Sequence, residues 1–167
     1  FDALVEATRW QSARREMYER TVDVPRLLAT LPDDGPVLPI VGEMRDALER
    51  RYDTAFPHVT LALYRDGHDS VAWHGDYVAR EMDEALVATV SLGEPRRFLL
   101  RPKGGGRSLT MSLGWGDLLV MGGSCQRTWD HAVPKVSHAA PRIALMFRPT
   151  WYAGARAFES RPGGASE

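Results

Sequence analysis

Residues 85–121 read ALVATVSLGEPRRFLLRPKGGGRSLTMSLGWGDLLVM, and this stretch indicates the class of fold. Short runs rich in Val, Leu, Thr and aromatic residues alternate with turns at Gly93, at residues 104–106 and at residues 114–116. Runs of this length that end in Gly or Pro are typical of β-strands. The stretch therefore predicts consecutive short strands joined by tight turns.

The same pattern of short apolar runs and turns extends in both directions, from His58 to Arg148. Eight short strands without alternating helices predict a mainly β protein, either a barrel or a double-sheet sandwich. The expected strands span residues 58–64, 70–74, 85–92, 96–101, 108–113, 117–121, 128–133 and 141–148.

The first 57 residues have a different pattern. Ile40, Met44 and Leu48 recur at helical spacing, which predicts a helix that begins near Gly42. An earlier helix is expected from Leu4 to Tyr18, and a proline-rich turn at residues 32–36 separates the two. We expect a single domain that consists of an N-terminal helical and lid region (1–57), a β core (58–150) and a partly disordered C-terminal extension (151–167).

Composition excludes several classes of protein. The 167 residues are 44% hydrophobic and 26% charged, as in an ordinary globular domain. The one cysteine excludes a disulfide framework and a multi-cysteine zinc site. Apolar runs are too short for a membrane span, and the charged N-terminal segment does not resemble a signal peptide, so cytoplasmic localisation is expected. A net charge of −1 shows no global basic excess for nucleic-acid binding.

The tripeptide His74-Gly75-Asp76 comes at the end of an expected strand. Side chains two residues apart in a strand share a face, so the imidazole and the carboxylate lie side by side. A third metal ligand must come from elsewhere, and His131 in another expected strand is the best candidate. Two histidines and one carboxylate suit a non-haem Fe(II) oxygenase. A pair of polar residues on a surface strand is the competing interpretation of His74 and Asp76.

Arg142 and Arg148 are separated by five residues in the last expected strand. The even spacing places both on one face, with Ile143, Leu145 and Phe147 on the other. Arginine holds carboxylates with two parallel hydrogen bonds, so the pair could enclose a small dicarboxylate. Two arginines on a solvated face, each with a salt-bridge partner, are the alternative.

In this order and spacing, the chain resembles the AlkB family of Fe(II)/2-oxoglutarate-dependent dioxygenases. The resemblance covers residues 58–149 well and Trp10 to Leu27 more loosely. The segments that carry it are Leu63-Tyr64-Arg65-Asp66-Gly67, His74-Gly75-Asp76, Ser91-Leu92-Gly93, Arg97-Phe98, residues 116–121, Gln126 with Trp129-Asp130-His131, and Pro141-Arg142 with Arg148.

The resemblance implies a double-stranded β-helix (jelly-roll) core with N-terminal helices and a lid. It implies that His74, Asp76 and His131 bind Fe(II) and serve as the catalytic centre. It also implies that Arg142, helped by Tyr64, grips the distal carboxylate of 2-oxoglutarate, while Arg148 interacts with the end that chelates iron. The family uses O2 and 2-oxoglutarate to oxidise an N-alkyl group on a nucleic-acid base, with release of succinate, CO2 and formaldehyde.

The expected function is therefore dealkylation repair of nucleic acid by a cytoplasmic, monomeric enzyme without a membrane or protein partner. Three alternatives remain open. The first is the same oxygenase chemistry on a protein or a small molecule, the second is a non-catalytic nucleic-acid-binding member of the fold, and the third is a cupin-like metal protein without 2-oxoglutarate. The full ligand set and both arginines disfavour the second and the third.

Three positions depart from the family pattern. Ala62 and Ala144 stand where the family usually has hydrogen-bonding residues near 2-oxoglutarate, and this predicts weaker binding of that co-substrate. Val78 stands where some members carry an acidic residue that would suit a cationic methylated base. The aromatic and Ser-Gly pattern that many nucleic-acid members carry in the lid is missing from residues 27–39.

A local basic segment spans residues 96–107 and includes no acid. We expect it to form a hairpin that contacts phosphate, with a charged, solvated sheet edge as the alternative. Its basic residues are Arg96, Arg97, Arg101, Lys103 and Arg107, and the aromatic candidates for stacking on a base are Trp10, Tyr18 and Tyr77.

Overall fold

The structure, a computed structural model, describes residues 1–17, 20–31, 38–76 and 84–149. The expected turn at residues 32–36, the extension at 151–167, Tyr18, Tyr77 and Val78 lie outside the described residues. The elements are α1 (Asp2–Ala7), β1 (Gln11–Met17), β2 (Arg20–Thr30), α2 (Pro39–Tyr52), β3 (His58–Tyr64), β4 (Val71–His74), β5 (Val87–Gly93), β6 (Arg96–Pro102), β7 (Leu109–Leu113), β8 (Leu118–Met121), α3 (Cys125–Thr128), β9 (Trp129–Val133) and β10 (Arg142–Arg148).

The strands form two antiparallel sheets that pack face to face. The major sheet has six strands in the order β1-β2-β3-β10-β5-β8, and the minor sheet has four in the order β4-β9-β6-β7. Neighbours such as β3 and β10 are far apart in sequence, so the chain crosses repeatedly between the sheets. This is the mainly β, jelly-roll architecture that the sequence predicts.

All eight expected strands are present, and their ends agree with prediction to within two residues. The helix α2 starts at Pro39, three residues before Gly42. A proline is tolerated in the first turn because the backbone N–H groups there have no partner within the helix.

The helix expected from Leu4 to Tyr18 is wrong beyond Ala7. Residues 11–17 instead form β1, which pairs with β2, and β2 in turn pairs with β3 at the edge of the major sheet. Cross-strand pairing therefore overrides the local helical pattern. Pro25 lies where the register between β1 and β2 shifts, so its missing N–H interrupts no regular ladder.

Two apolar clusters fix the sheets. The outer cluster packs α1 and α2 against the major sheet, and the alternate residues Ile143, Leu145 and Phe147 of β10 are fully buried in it. The inner cluster lies between the sheets and includes Ala144 on β10 and Phe98 on β6. Strand β10 is thus buried on both faces, with its polar residues directed between the sheets.

Leu145→Ala removes a side chain that is 0% exposed in the outer cluster. We expect the free energy of unfolding to fall by about 2–5 kcal/mol, because the cavity left by a buried leucine closes only partly. Leu118→Ala, at a position 49% exposed on β8, is the matched control and should change stability by less than about 1 kcal/mol. Urea unfolding measures both, and equal losses would contradict this account of the core.

Candidate active site

The structure brings His74, Asp76 and His131 together between the sheets. His74 ends β4 and pairs directly with His131 on β9, so their rings lie side by side with centroids 4.2 Å apart. Asp76 follows two residues after β4 and turns back towards them. One potential ligand atom from each of the three residues lies within 4.8 Å of the others. Two imidazole nitrogens and one carboxylate oxygen at this spacing can hold a divalent metal ion.

Neighbouring groups orient both imidazoles. The Nδ1–H of His74 donates to the carbonyl of Ala72 at 2.8 Å, which leaves Nε2 as the free acceptor. Histidines that bind metals commonly donate their second ring nitrogen to a carbonyl in this way. Phe98 stacks on His131, with centroids 5.5 Å apart and an interplanar angle of 16°. The rings are therefore positioned by the protein itself.

Electrostatics set the protonation states that a metal requires. Burial, with a contribution from His74, lowers the pKa of His131 to about 3. Burial also lowers the pKa of His74. For Asp76, burial raises the pKa, but the guanidinium of Arg148 outweighs it and the net pKa lies below the ordinary value. At neutral pH the site offers two neutral imidazoles and an ionised carboxylate, which are the forms that bind metals.

Arg148 holds the Asp76 carboxylate in place. Its Nε donates to Oδ2 of Asp76 at 2.9 Å and its Nη2 to Oδ1 at 3.5 Å, while Nη1 donates to the hydroxyl of Thr60. Arg148 is only 6% exposed, so this ion pair is buried. The pair compensates for the burial of both charges and fixes the direction in which Asp76 points.

Arg142 lies at the other end of β10 and has spare hydrogen-bonding capacity. Its Nε donates to Ser91 Oγ at 2.7 Å, and its guanidinium carbon lies 5.3 Å from the centroid of the Tyr64 ring. Arg142 is 1% exposed, and its Nη1 has no hydrogen-bond partner among the described residues. An unpaired buried donor is costly, so the arrangement fits an anion that approaches Nη1.

A cavity of about 180 Å³ joins these groups. The three potential metal ligands, Arg142, Arg148 and Tyr64 all line it. All six site residues expected from the sequence therefore line one cavity between the sheets. The donor set and the free donor of Arg142 fit Fe(II) and a dicarboxylate, respectively.

The departures from the family pattern at Ala62 and Ala144 form one patch. The two alanines are direct cross-strand partners on β3 and β10, and both line the cavity. Ser91 on β5 is the partner of Ala144 on its other side and bonds to Arg142. The methyl groups of Ala62 and Ala144 therefore form an apolar part of the cavity wall. This part lies beside Ser91, which accepts a hydrogen bond from Arg142.

Sequence reasoning missed Arg26 and Thr60 as residues of the site. Arg26 on β2 lines the cavity, and its Nη1 donates to the carbonyl of Ser70 at 3.2 Å. No strand was predicted for its segment of the chain, so no face could be assigned to it. Thr60 belongs to a predicted strand and shares the inward face with Ala62 and Tyr64, so alternation along β3 was the available signal.

The expected basic hairpin is wrong in part. Arg96 is 2% exposed, and it donates to the carbonyls of Asp66, Asp69 and Pro134 at 2.9 Å each, so it cannot contact phosphate. The guanidinium of Arg101 stacks 4.1 Å from the Trp73 ring centroid. Lys103 donates to the carbonyl of Gln126.

Arg97 and Arg107 are the exposed members of this basic segment. Trp10, one of the candidates for base stacking, packs against the outer cluster, and its Nε1 donates to the carbonyl of Val5 at 3.0 Å. Its indole therefore serves the core.

Comparison with known families gives a clear result. The family model for the 2OG-Fe(II) oxygenase superfamily matches residues 3–148. This chain belongs to that superfamily. Its members use Fe(II), 2-oxoglutarate and O2, which confirms the cofactors expected from the sequence.

Curated relatives confirm the expected AlkB kinship. The mouse (Mus musculus) protein named "Alpha-ketoglutarate-dependent dioxygenase alkB homolog 3" is 32% identical over 124 residues, which are 68% of this chain and 43% of the relative. The human "DNA oxidative demethylase ALKBH2" is 28% identical over 158 residues, 81% of this chain and 60% of the relative. This chain thus spans less than half the length of the first relative.

Two solved structures share the fold. OsALKBH1 superposes with a TM-score of 0.58 at 17% identity, over 75% of this chain and 78% of that one. A 2OG-Fe(II) oxygenase family oxidoreductase from Burkholderia pseudomallei gives a TM-score of 0.58 at 15% identity, over 88% and 75%. None of the helices among the described residues has the length and apolar character to cross a bilayer.

Arg142→Lys should weaken the binding of 2-oxoglutarate to metal-loaded protein by about tenfold or more. Lysine keeps the positive charge but loses the two-pronged geometry that grips a carboxylate. Isothermal titration with 2-oxoglutarate on Mn(II)-loaded protein measures the effect. Arg97→Lys, at an exposed position on β6, is the matched control and should leave the affinity unchanged. An unaltered titration for Arg142→Lys would show that Arg142 does not hold the dicarboxylate.

Proposed function

We propose that this protein is an Fe(II)/2-oxoglutarate-dependent dioxygenase that removes alkyl groups from nucleic-acid bases. The observation that carries the proposal is the single cavity that joins three clustered metal-ligand side chains to a buried arginine with a free donor. Action as a cytoplasmic monomer is part of the same proposal.

In this proposal His74, Asp76 and His131 would hold Fe(II), since two imidazoles and one carboxylate suit this ion. Bound Fe(II), together with 2-oxoglutarate and O2, supplies the oxidising power to hydroxylate a C–H bond. The protein contributes neutral imidazoles, since burial keeps the pKa of both histidines low. It also contributes a fixed carboxylate, because Arg148 holds both oxygens of Asp76.

The co-substrate would lie along β10. We propose that Arg142 receives the distal carboxylate of 2-oxoglutarate on its free Nη1, and that Tyr64 lies beside it at the same end of the cavity. Arg148 would then face the end of the co-substrate that reaches the metal. With Ala62 and Ala144 between the arginines, the middle of the co-substrate would meet methyl groups.

The proposed substrate is an N-alkylated base. Hydroxylation of an N-methyl group gives an N-hydroxymethyl group, and cleavage of its C–N bond releases formaldehyde and restores the N–H of the base. The co-substrate is oxidised in the same turnover to succinate and CO2. A base must leave its stack to reach a buried metal site. The names of the relatives, which include a DNA oxidative demethylase, support this class of substrate.

A second candidate is the same oxidation of a protein side chain or a small molecule. The burial of Arg96 and the contacts of Arg101 and Lys103 favour it, because they leave the expected phosphate-binding segment with two exposed arginines.

Anaerobic reconstitution with Fe(II) and 2-oxoglutarate, followed by an oxygen pulse with a panel of methylated oligonucleotides, tests the function. We expect succinate and, for at least one oligonucleotide, an equal amount of formaldehyde. His74→Ala and Asp76→Ala should each abolish both products, because each removes one of three protein ligands. His68→Ala, at an exposed histidine, is the control and should retain full turnover.

The products separate the candidates. Full succinate release by His74→Ala at equal iron loading would overturn the metal-site assignment. Succinate from the parent protein without formaldehyde from any oligonucleotide would instead favour the second candidate.

Arg97→Gln with Arg107→Gln tests whether the exposed arginines contact phosphate. If both do, the slope of log affinity against log salt should flatten by about 0.7 per residue for single-stranded DNA. The control pair Arg50→Gln with Arg51→Gln makes the same charge change on α2, which packs on the outer face of the major sheet. Fluorescence anisotropy at several salt concentrations measures both pairs. Equal slopes in the test pair and the parent protein would show that these arginines are only solvated.

A further inference from the structure

We propose that Gln126 is a positioning residue for the metal centre, acting through the backbone of Asp76. This inference rests on the proposed ligand set of His74, Asp76 and His131. Gln126 lies in α3, the four-residue helix immediately before the strand that carries His131. It is 1% exposed, although it carries a polar amide.

The side-chain amide of Gln126 contacts the backbone of Asp76, the residue whose carboxylate is the proposed metal ligand. The backbone N–H of Asp76 donates to Oε1 of Gln126 at 3.2 Å, across 50 positions of sequence. Asp76 lies beyond the end of β4, where no ladder partner receives its N–H. A backbone N–H can only donate, so the amide oxygen must face it, and the amide nitrogen is left to donate to Sδ of Met121 at 3.8 Å.

The helix that carries Gln126 is itself anchored. Lys103 Nζ donates to the carbonyl of Gln126 at 2.7 Å, and the backbone N–H of Lys103 donates to the carbonyl of Thr128 at 2.8 Å. These two bonds tie α3 to the residue after β6. Lys103, directly after β6, therefore fixes the helix that presents the Gln126 acceptor to Asp76.

Gly75, which lies between His74 and Asp76, packs tightly against α3 and Lys103. A Cβ on Gly75 would lie 3.1 Å from the carbonyl oxygen of Gln126 and 3.4 Å from Lys103 Nζ. The segment His74-Gly75-Asp76 thus lies directly on α3. Pairing of β4 with β9 sets the distance between the two histidines, and Gln126 sets the position of Asp76 relative to them.

The test is Mn(II) binding by Gln126→Met, which keeps the length and approximate volume but removes the strong acceptor. We expect the dissociation constant for Mn(II) to rise about 10- to 100-fold, as is typical when a group that supports a metal ligand is removed. The electron paramagnetic resonance spectrum of bound Mn(II) should also change, because the Asp76 carboxylate loses its fixed direction. Gln126→Asn, which is one methylene too short to reach Asp76, should show the same loss if the methionine variant does not fold.

Thr128→Val is the matched control. It removes a hydrogen bond to the carbonyl of Ser124 within the same helix, on an exposed residue, and should leave Mn(II) affinity unchanged. Melting of the metal-free proteins is recorded in parallel. Parental Mn(II) affinity in a folded Gln126 variant, with or without a lower melting temperature, would show that Gln126 only packs and would overturn the proposal. Failure of the parent protein to bind Mn(II) would instead overturn the ligand assignment on which the proposal rests.

Discussion

Strand β10 lies in the centre of the major sheet; one of its faces packs in the apolar core, and the other lines the cavity. Ile143, Leu145 and Phe147 are completely buried against the helices on one face. Because a strand alternates, the same pairing forces Arg142 and Arg148 into the space between the sheets. A slip of one residue would move both guanidinium groups into the outer apolar cluster and turn the three apolar side chains into the space between the sheets. The register of β10 therefore fixes the core and the site together.

Burying arginines in this space requires a partner for each. Arg148 pairs with the Asp76 carboxylate and with Thr60. Arg96 donates through its two Nη atoms to three backbone carbonyls of the surrounding loops, while its Nε has no hydrogen-bond partner among the described residues. Arg142 differs in its position: Ser91 accepts from its Nε, its Nη1 has no hydrogen-bond partner among the described residues, and its side chain lines the cavity. An isolated buried charge is strongly unfavourable. The unpartnered nitrogen of Arg142 is therefore a terminal donor on a side chain in the cavity wall, which fits an anion in that cavity.

The cluster of three potential metal ligands combines two independent supports. Pairing of His74 with His131 brings the imidazoles together, whereas Asp76 lies outside the strand and depends on Arg148 and Gln126. The charge of Arg148 governs the ionisation of the carboxylate, and the amide of Gln126 governs the position of its backbone. A strand pair and hydrogen bonds at the loop end hold these groups near one another without a ligand, and preorganisation of this kind reduces the entropy lost on binding.

The sequence by itself determined the strands from β3 to β10, the turns between them and the faces of β10, because alternation and Gly or Pro breaks are local signals. Its His-x-Asp spacing and paired arginines, together with the segments around them in the same order, indicated the oxygenase family. Only the tertiary structure decided that residues 11–17 join a sheet and that Arg96 is buried, since both depend on partners that are distant in sequence. It also decided the contact of Gln126 with Asp76 across 50 residues, which no local pattern encodes.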